Sequence, residues 1–283
     1  MQAQLNALIQ YLWDNQGTSQ LTSQQAQYQE TFMTDLKKAN LVQADGTLDV
    51  TSIADDDSRW RIFRGLVNLR NAYQPSQEYL LAEGLVLQTK LGPAASQVQW
   101  QESDLDQRIY LWQGDITRLQ VDAIVNAANK DGLGCFIPNH QCIDNVIHTM
   151  AGAQLRTDMV KSLNGRKLPV GKVVVTKAYH LPSQFIFHTV GPVIYKEPVS
   201  KMNQDLLAAC YRNCLEEADA RGIKTIAFCS ISTGEFRFPR PLARNIAIQT
   251  VKDYLDQSNS SLQVIFNVFS DEDLTLYQEN LCK

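Results

Sequence analysis

A short segment of the chain carries three side chains that are well suited to hold a metal ion. Cys135, His140 and Cys142 lie within eight residues, and thiolate and neutral imidazole are the donors that zinc prefers. In an extended segment His140 and Cys142 point to the same side, and the intervening loop lets Cys135 fold back to meet them. Three protein ligands leave a fourth position open, which is typical of a catalytic zinc site. The alternative is that the two cysteines are buried thiols or a redox pair.

Two asparagines follow a buried apolar run just before that segment. Asn126 and Asn129 are three residues apart. An amide both donates and accepts hydrogen bonds, so two amides that face a sugar can satisfy several hydroxyl groups. The alternative is that both side chains form Asx-turns where the strand ends. The spacing leaves both interpretations open.

Two further motifs follow predicted strands and suit the parts of a nucleotide. At Gly114, Asp115 and Ile116, a carboxylate and free backbone N–H groups can bind the edge of a base, although an ordinary strand-to-loop turn has the same pattern. In a second loop, small residues and a glycine let successive backbone N–H groups point at one phosphate. That loop contains Ser232, Thr233, Gly234, Glu235 and Phe236. Its aromatic ring either covers a ribose or packs in the core.

Composition narrows the classes of function. The chain has 283 residues, of which 44% are hydrophobic and 20% charged, and this balance excludes wholesale disorder. Its net charge of −4 argues against a general nucleic-acid binder, which needs a basic face. No apolar run approaches the roughly 18 residues of a membrane span, and the start of the chain lacks a secretory pattern. We expect a cytoplasmic protein with no nucleic-acid and no membrane partner.

The elements that must position these side chains fall into two regions. Residues 1–95 predict a helical N-terminal extension, with helices near residues 5–13, 24–38 and 60–73, because apolar residues recur there at helical spacing. In residues 100–283 short strands alternate with helices, which predicts a layered α/β domain with a mostly parallel or mixed sheet. The predicted strands span residues 109–112, 123–125, 173–177, 185–189, 225–228 and 262–269. The predicted helices span residues 145–155, 205–221 and 241–255.

Taken together, the motifs resemble the macrodomain family of ADP-ribose binders. The matching segments, in chain order, are residues 114–116, 121–129, 188–192 and 232–236. The resemblance implies an α/β fold in which a mixed β-sheet is sandwiched between helices, here with an N-terminal helical extension. It also implies that Asp115 and Ile116 bind the adenine of ADP-ribose, that Asn126 and Asn129 face its terminal ribose, and that the 232–236 loop wraps its diphosphate.

One departure from the usual macrodomain pattern narrows the class further. Most macrodomains carry a run of glycines after the two asparagines, whereas this chain has its Cys–His–Cys segment there. In this respect it looks like the zinc-dependent macrodomains of bacteria. That resemblance implies one Zn²⁺ per chain on Cys135, His140 and Cys142, acting as a Lewis acid beside the terminal ribose, with Asn129 and Asp144 as catalytic residues. The implied reaction is a zinc-dependent hydrolysis that removes mono-ADP-ribose from protein side chains.

Partners and alternative functions follow from the same resemblance. Relatives of this class tend to be encoded beside a sirtuin-like ADP-ribosyltransferase and a lipoyl-carrier protein, so a lipoyl-carrier protein is the expected ADP-ribosylated substrate. The main alternative is a non-catalytic ADP-ribose reader with a structural zinc. A phosphatase acting on ADP-ribose 1″-phosphate and a nucleotide-binding α/β domain with a structural zinc loop are two others.

Overall fold

Four helices form the N-terminal region in the computed structural model, which describes residues 1–16, 21–96 and 99–282. They are α1 (Gln2–Asp14), α2 (Ser23–Lys38), α3 (Asp56–Leu69) and α4 (Gln77–Leu91). Three of them lie where the apolar spacing predicted helices. Thr22 and Gln25 form a capping box that begins α2, and the Asp55 carboxylate accepts the Ser58 N–H at the start of α3.

Helix α4 was not predicted, because it lacks the one-sided apolar pattern on which the prediction depends. Its buried residues, among them Tyr79, Glu83 and Leu87, lie on one helical face. That face includes a charged residue, whereas Leu81 and Leu85 on the opposite face are exposed. Tertiary contacts therefore decide which face is buried, and a local sequence window does not contain those contacts.

Seven strands form one mixed sheet. They are β1 (Gln101–Glu102), β2 (Ile109–Gln113), β3 (Ala123–Ala127), β4 (Val173–Lys177), β5 (Phe185–Thr189), β6 (Thr225–Phe228) and β7 (Gln263–Val268). Their order across the sheet is β1-β2-β7-β6-β3-β5-β4. The strands β2, β7, β6, β3 and β5 are parallel, whereas β1 and β4 pair antiparallel at the two edges. The six predicted strands are confirmed to within two residues at each end.

Five further helices accompany the sheet. They are α5 (Ile143–Ala151), α6 (Ala153–Leu163), α7 (Lys201–Ala220), α8 (Arg240–Ser258) and α9 (Asp271–Leu281). The prediction of one helix over residues 145–155 is wrong, because Gly152 at φ +94° separates α5 from α6. The predicted mixed sheet between helices, with its N-terminal helices, is confirmed. No helix in the described part of the chain is both long and apolar enough to cross a membrane.

Buried polar contacts fix the N-terminal helices against α6. Glu83 of α4 is fully buried, and one of its carboxylate oxygens accepts the Ala153 N–H at 3.0 Å. Arg156 of α6 donates in return to the Val67 carbonyl of α3 at 3.1 Å, and Arg70 donates to the Ala153 carbonyl at 3.0 Å. Because buried polar groups that lose a partner are costly, these bonds hold α3 and α4 in one orientation against the α/β layer.

Candidate functional site

The carboxyl ends of the five parallel strands lie at one edge of the sheet, which is where ligands bind in α/β folds. The loops after β2, β3, β6 and β7 surround a cleft of about 1420 Å³. A small-molecule pocket is usually about 300–1,000 Å³, so this cleft has room for more than a nucleotide. Every predicted site residue borders it except Asn126.

The predicted metal ligands come together at the rim of this cleft. One donor atom from each of Cys135, His140 and Cys142 lies within 4.8 Å of the others, and the Cys135 Sγ is 3.6 Å from the His140 Nδ1. The other ring nitrogen, Nε2, is 3.6 Å from a carboxylate oxygen of Glu235 in the loop across the cleft. The fold therefore presents two thiol sulfurs and one imidazole nitrogen at one point.

The two thiols shift each other's pKa in opposite directions. Interaction with the Cys142 side chain lowers the pKa of the Cys135 thiol, and His140 acts in the same direction. The same interaction, together with burial, raises the pKa of Cys142. Zinc binds the thiolate form of cysteine, and the lowered pKa favours that form at Cys135.

Helix α3 holds this Cys–His–Cys loop (residues 135–142) from the N-terminal side through Arg64. Its Nη2 donates to the His140 carbonyl at 2.5 Å and to the Asn145 Oδ1 at 2.9 Å. The Asn145 amide donates in turn to the Cys135 carbonyl at 3.2 Å. One guanidinium therefore fixes both ends of the loop backbone.

A second α3 side chain, Asn68, holds the tip of the loop. Its Oδ1 accepts the Asn139 N–H at 2.9 Å, and its Nδ2 donates to the Thr149 Oγ1 of α5 at 3.0 Å. The Asn139 backbone is left-handed, with φ +59°, so the chain turns at the residue that Asn68 holds. Only 1% of Asn68 is exposed; its bond to Thr149 is buried, whereas its bond to Asn139 is partly buried.

Asp144 lies beneath the loop between two amides. Its Oδ1 accepts from Asn126 at 2.8 Å and its Oδ2 accepts from Asn129 at 3.0 Å. Burial raises the pKa of Asp144 to about 7, and the hydrogen bond from Asn126 opposes that shift. A carboxyl group with a pKa near neutrality is suited to proton transfer at physiological pH.

Asn126 is fully buried and connects Asp144 to a histidine. Its Nδ2 also lies 3.1 Å from the His188 Nδ1. The His188 Nε2 is 3.0 Å from the Thr176 Oγ1, and burial lowers the pKa of His188 to about 3. The neutral ring accepts from Asn126 through Nδ1 and donates to Thr176 through Nε2. Contact of Asn126 with a ribose stays a prediction.

Asn129 adopts the Asx-turn that its position allowed. Its Oδ1 accepts the N–H groups of Asp131 and Gly132 at 2.9 and 3.1 Å. Its Nδ2 donates to Asp144 and to the Gly134 carbonyl at 3.0 Å. The side chain therefore shapes the start of the loop and orients Asp144 while it borders the cleft.

The 232–236 loop lies across the cleft from the Cys–His–Cys loop. It is closed by bonds from the Phe238 N–H to the Ser232 carbonyl at 3.0 Å and from the Arg237 N–H to the Gly234 carbonyl at 2.9 Å. Ser232 adopts φ +67°, and its buried Oγ has no partner among the described residues. Within that part of the chain, four backbone N–H groups of the loop bond to no backbone acceptor, namely those of Ser232, Gly234, Glu235 and Phe236. Such an arrangement suits a phosphate group.

Comparison with known proteins identifies the family. The Macro domain family model matches residues 125–247. A Staphylococcus aureus protein named protein-ADP-ribose hydrolase is 49% identical over 222 residues, which cover 78% of this chain and 84% of the relative. The chain belongs to the macrodomain family.

Solved structures of macrodomains agree with this identification. A mutant of the Oceanobacillus iheyensis macrodomain, solved with ADPR, is 39% identical and has a TM-score of 0.55, over 60% of this chain and 90% of that one. The Trypanosoma brucei macrodomain in complex with ADP-ribose is 27% identical and has a TM-score of 0.60, over 76% and 94%. The macrodomain fold expected from the sequence motifs is therefore the observed one.

The end of this macrodomain cleft near β2 and β7 contains both predicted and unpredicted residues. The Asp115 Oδ1 accepts from the N–H and Oγ1 of Thr117 at 3.0 and 2.7 Å, and the side chain borders the cleft beside Ile116. Phe269, directly after β7, also borders it and is 78% exposed. Sequence reasoning missed Phe269, although an aromatic residue at the end of a buried strand was a usable signal.

The opposite side of the macrodomain cleft is formed by the N-terminal helices, which sequence reasoning did not assign to the site. The contributing side chains belong to α2, α3 and α4 and include Tyr28, Trp60, Arg64 and Lys90. No local motif marks these residues, because they reach the cleft only through the packing of α3 and α4 on α6.

Proposed function

We propose that this chain is a zinc-dependent hydrolase that removes mono-ADP-ribose from modified protein side chains. The observation that carries the proposal is the convergence of Cys135, His140, Cys142 and the Asn129–Asp144 pair on one end of a macrodomain cleft. The curated name of the Staphylococcus aureus relative, protein-ADP-ribose hydrolase, agrees with this activity.

The donor set fits zinc. Zn–S and Zn–N bonds of about 2.3 and 2.0–2.1 Å place two donors of one tetrahedral ion roughly 3.5 Å apart. The Cys135 Sγ and the His140 Nδ1 are 3.6 Å apart, and all three donor atoms lie within 4.8 Å. Cys135, His140 and Cys142 would hold the ion, which supplies Lewis-acid chemistry when bound.

The chain's own residues would bind and orient the substrate. The free N–H groups of the 232–236 loop would hold the diphosphate without a net positive charge on the protein. Asp115 and Ile116 would contact the adenine, as the family resemblance implies. These contacts leave the terminal ribose near Asn129 and the Cys–His–Cys loop.

Asp144 would then serve hydrolysis as the base. Water adds to C1″ of the ribose, the bond from C1″ to the modified side chain breaks, and ADP-ribose and the restored side chain are the products. Asp144 would accept the proton that the attacking water loses and return a proton to the departing side chain, since its pKa of about 7 suits both transfers. Asn129, which donates to the Asp144 Oδ2, would keep the carboxylate oriented.

One observation favours the alternative of a non-catalytic reader. Both oxygens of Asp144 already accept amide hydrogen bonds, so the carboxylate could be a purely structural link. A reader would bind ADP-ribose as well as a hydrolase does, yet release none from a modified protein.

An assay of ADP-ribose release from a mono-ADP-ribosylated protein separates the two functions. We expect release by the zinc-loaded protein, loss of release after treatment with a chelator, and recovery when zinc is restored. His140→Ala and Cys142→Ala should abolish release while the fold and ADP-ribose binding persist. Cys282→Ala, outside the loop, is the matched control and should behave as wild type. Full activity of a metal-free preparation would refute the zinc role.

A further inference from the structure

The cleft continues past the Cys–His–Cys loop onto a surface that the ADP-ribose contacts do not use. Tyr28 of α2, Trp60 of α3 and Lys90 of α4 border the cleft there; we refer to these three side chains as the helical wall. The residues assigned to adenine and diphosphate follow strands β2 and β6, in the α/β layer. The helical wall is therefore the N-terminal side of a cleft that exceeds the needs of one nucleotide.

The position of the helical wall relates it to the protein part of the substrate. With the ribose at Asn129 and the Cys–His–Cys loop, the scissile bond lies at that loop. Arg64, which also borders the cleft, donates to the His140 carbonyl, so the loop and the helices of the wall are adjacent. A polypeptide attached at C1″ must leave the loop along a surface of the cleft, and the helical wall is a part of that surface to which no nucleotide contact is assigned.

The chemistry of the helical wall favours an acidic segment. The Lys90 Nζ lies 5.1 Å from the Trp60 ring centroid, a cation–π contact that holds the ammonium in place. Among the described residues Lys90 has no ion-pair partner. Trp60 is itself fixed by Phe63, with ring centroids 5.5 Å apart, and the Gln24 amide donates to the Tyr28 hydroxyl at 2.8 Å. A placed cation over an indole, with a phenol on the same cleft, complements carboxylate side chains.

We infer that Tyr28, Trp60 and Lys90 dock an acidic segment of the polypeptide that carries the ADP-ribose. This inference rests on the proposed hydrolase function. The N-terminal helices then select the substrate protein, while the α/β layer binds the nucleotide that all ADP-ribosylated proteins share. On a chain with a net charge of −4, an acidic segment needs such a local cation to approach.

The test compares three substrates that carry the same ADP-ribosyl group. One is a small aryl ADP-ribose without a polypeptide, and the others are ADP-ribosylated peptides with acidic or with neutral flanking residues. For wild type we expect a higher kcat/KM on the acidic peptide than on the neutral one, with a difference that shrinks as salt rises. Lys90→Glu should lower kcat/KM on the acidic peptide by about tenfold and leave the aryl substrate unchanged.

A matched control comes from the same region. Lys37→Glu makes the same charge change at an exposed position of α2 that does not border the cleft. It should therefore leave kcat/KM unchanged on all three substrates. Tyr28→Ala should lower kcat/KM on the acidic peptide, although it leaves the net charge of the protein unchanged. Equal kcat/KM of wild type and Lys90→Glu on the acidic peptide would overturn the inference, as would an equal loss on the aryl substrate.

A binding experiment separates failure of this inference from failure of the proposed function. If wild type releases ADP-ribose from none of the three substrates, the hydrolase proposal fails. Calorimetry then still decides the docking question, because the acidic ADP-ribosyl peptide should bind wild type more tightly than free ADP-ribose and lose that advantage in Lys90→Glu. No difference between peptide and free ADP-ribose would show that the helical wall docks nothing.

Discussion

Removal of the Asn68 side chain tests whether α3 positions the Cys–His–Cys loop. Asn68→Ala deletes the acceptor of the Asn139 N–H and the donor to Thr149. A buried donor that loses its partner costs about 1–3 kcal/mol. Asn139 is half-buried, and water can partly replace the lost bond. We therefore expect the variant to destabilise the loop conformation by about 1–2 kcal/mol. The free-energy cost at Thr149 is smaller than at Asn139, because the Thr149 hydroxyl still donates to the Asn145 carbonyl at 2.8 Å.

This energy bears on zinc affinity if the freed loop leaves its binding conformation. The apparent dissociation constant then rises by the reciprocal of the fraction that remains competent. A change of about 1–2 kcal/mol corresponds to roughly a 5- to 30-fold weaker affinity. Competition with a chromophoric chelator measures that ratio, and thermal unfolding of the metal-free protein measures the accompanying loss of stability.

Asn213→Ala is the control for Asn68→Ala. The Asn213 amide donates to the Gly171 carbonyl, outside the Cys–His–Cys loop. Loss of this hydrogen bond should therefore lower the melting temperature without weakening the affinity for zinc. Should Asn68→Ala lose stability as Asn213→Ala does and yet bind zinc as wild type does, α3 would only support the fold and the positioning role would be rejected.

Three further variants test the cleft. Asp115→Ala should weaken ADP-ribose binding by calorimetry; an unchanged affinity would contradict the assigned adenine end. Asn129→Ala frees the Asp144 carboxylate and should lower kcat more than binding, whereas an equal loss of both would make Asn129 a binding group. Gly191→Ala should weaken ADP-ribose binding as well, because its Cβ would lie 1.9 Å from the Ser232 Oγ and displace the 232–236 loop; wild-type affinity would show that the loop tolerates the shift.

The convergence of the three candidate metal ligands was predictable because they are close in sequence. Cys135, His140 and Cys142 are separated by so few residues that the chain itself limits how far apart their donors can be. Their convergence is confirmed, while occupation by zinc stays a prediction. The spacing could not reveal that the loop is held from outside, by Arg64 and Asn68, since those residues are more than 65 positions away along the chain.

The two asparagines show where local reasoning stops. The sequence left an Asx-turn and a sugar contact open for both residues. The structure gives the Asx-turn to Asn129 alone and buries Asn126 against Asp144 and His188. The difference depends on the pairing of β3 with β5, which places Asn126 opposite His188, and strand pairing is a long-range property.

The strand positions, the macrodomain motifs and the donor set could be read from the chain, because they depend on residue period and on neighbours within a few positions. The position of the N-terminal helices beside the cleft became visible in the folded protein alone. That arrangement depends on buried contacts such as that of Glu83 with Ala153, which join residues 70 positions apart. No local pattern encodes such contacts, because their free energy arises only when both partners are removed from water together.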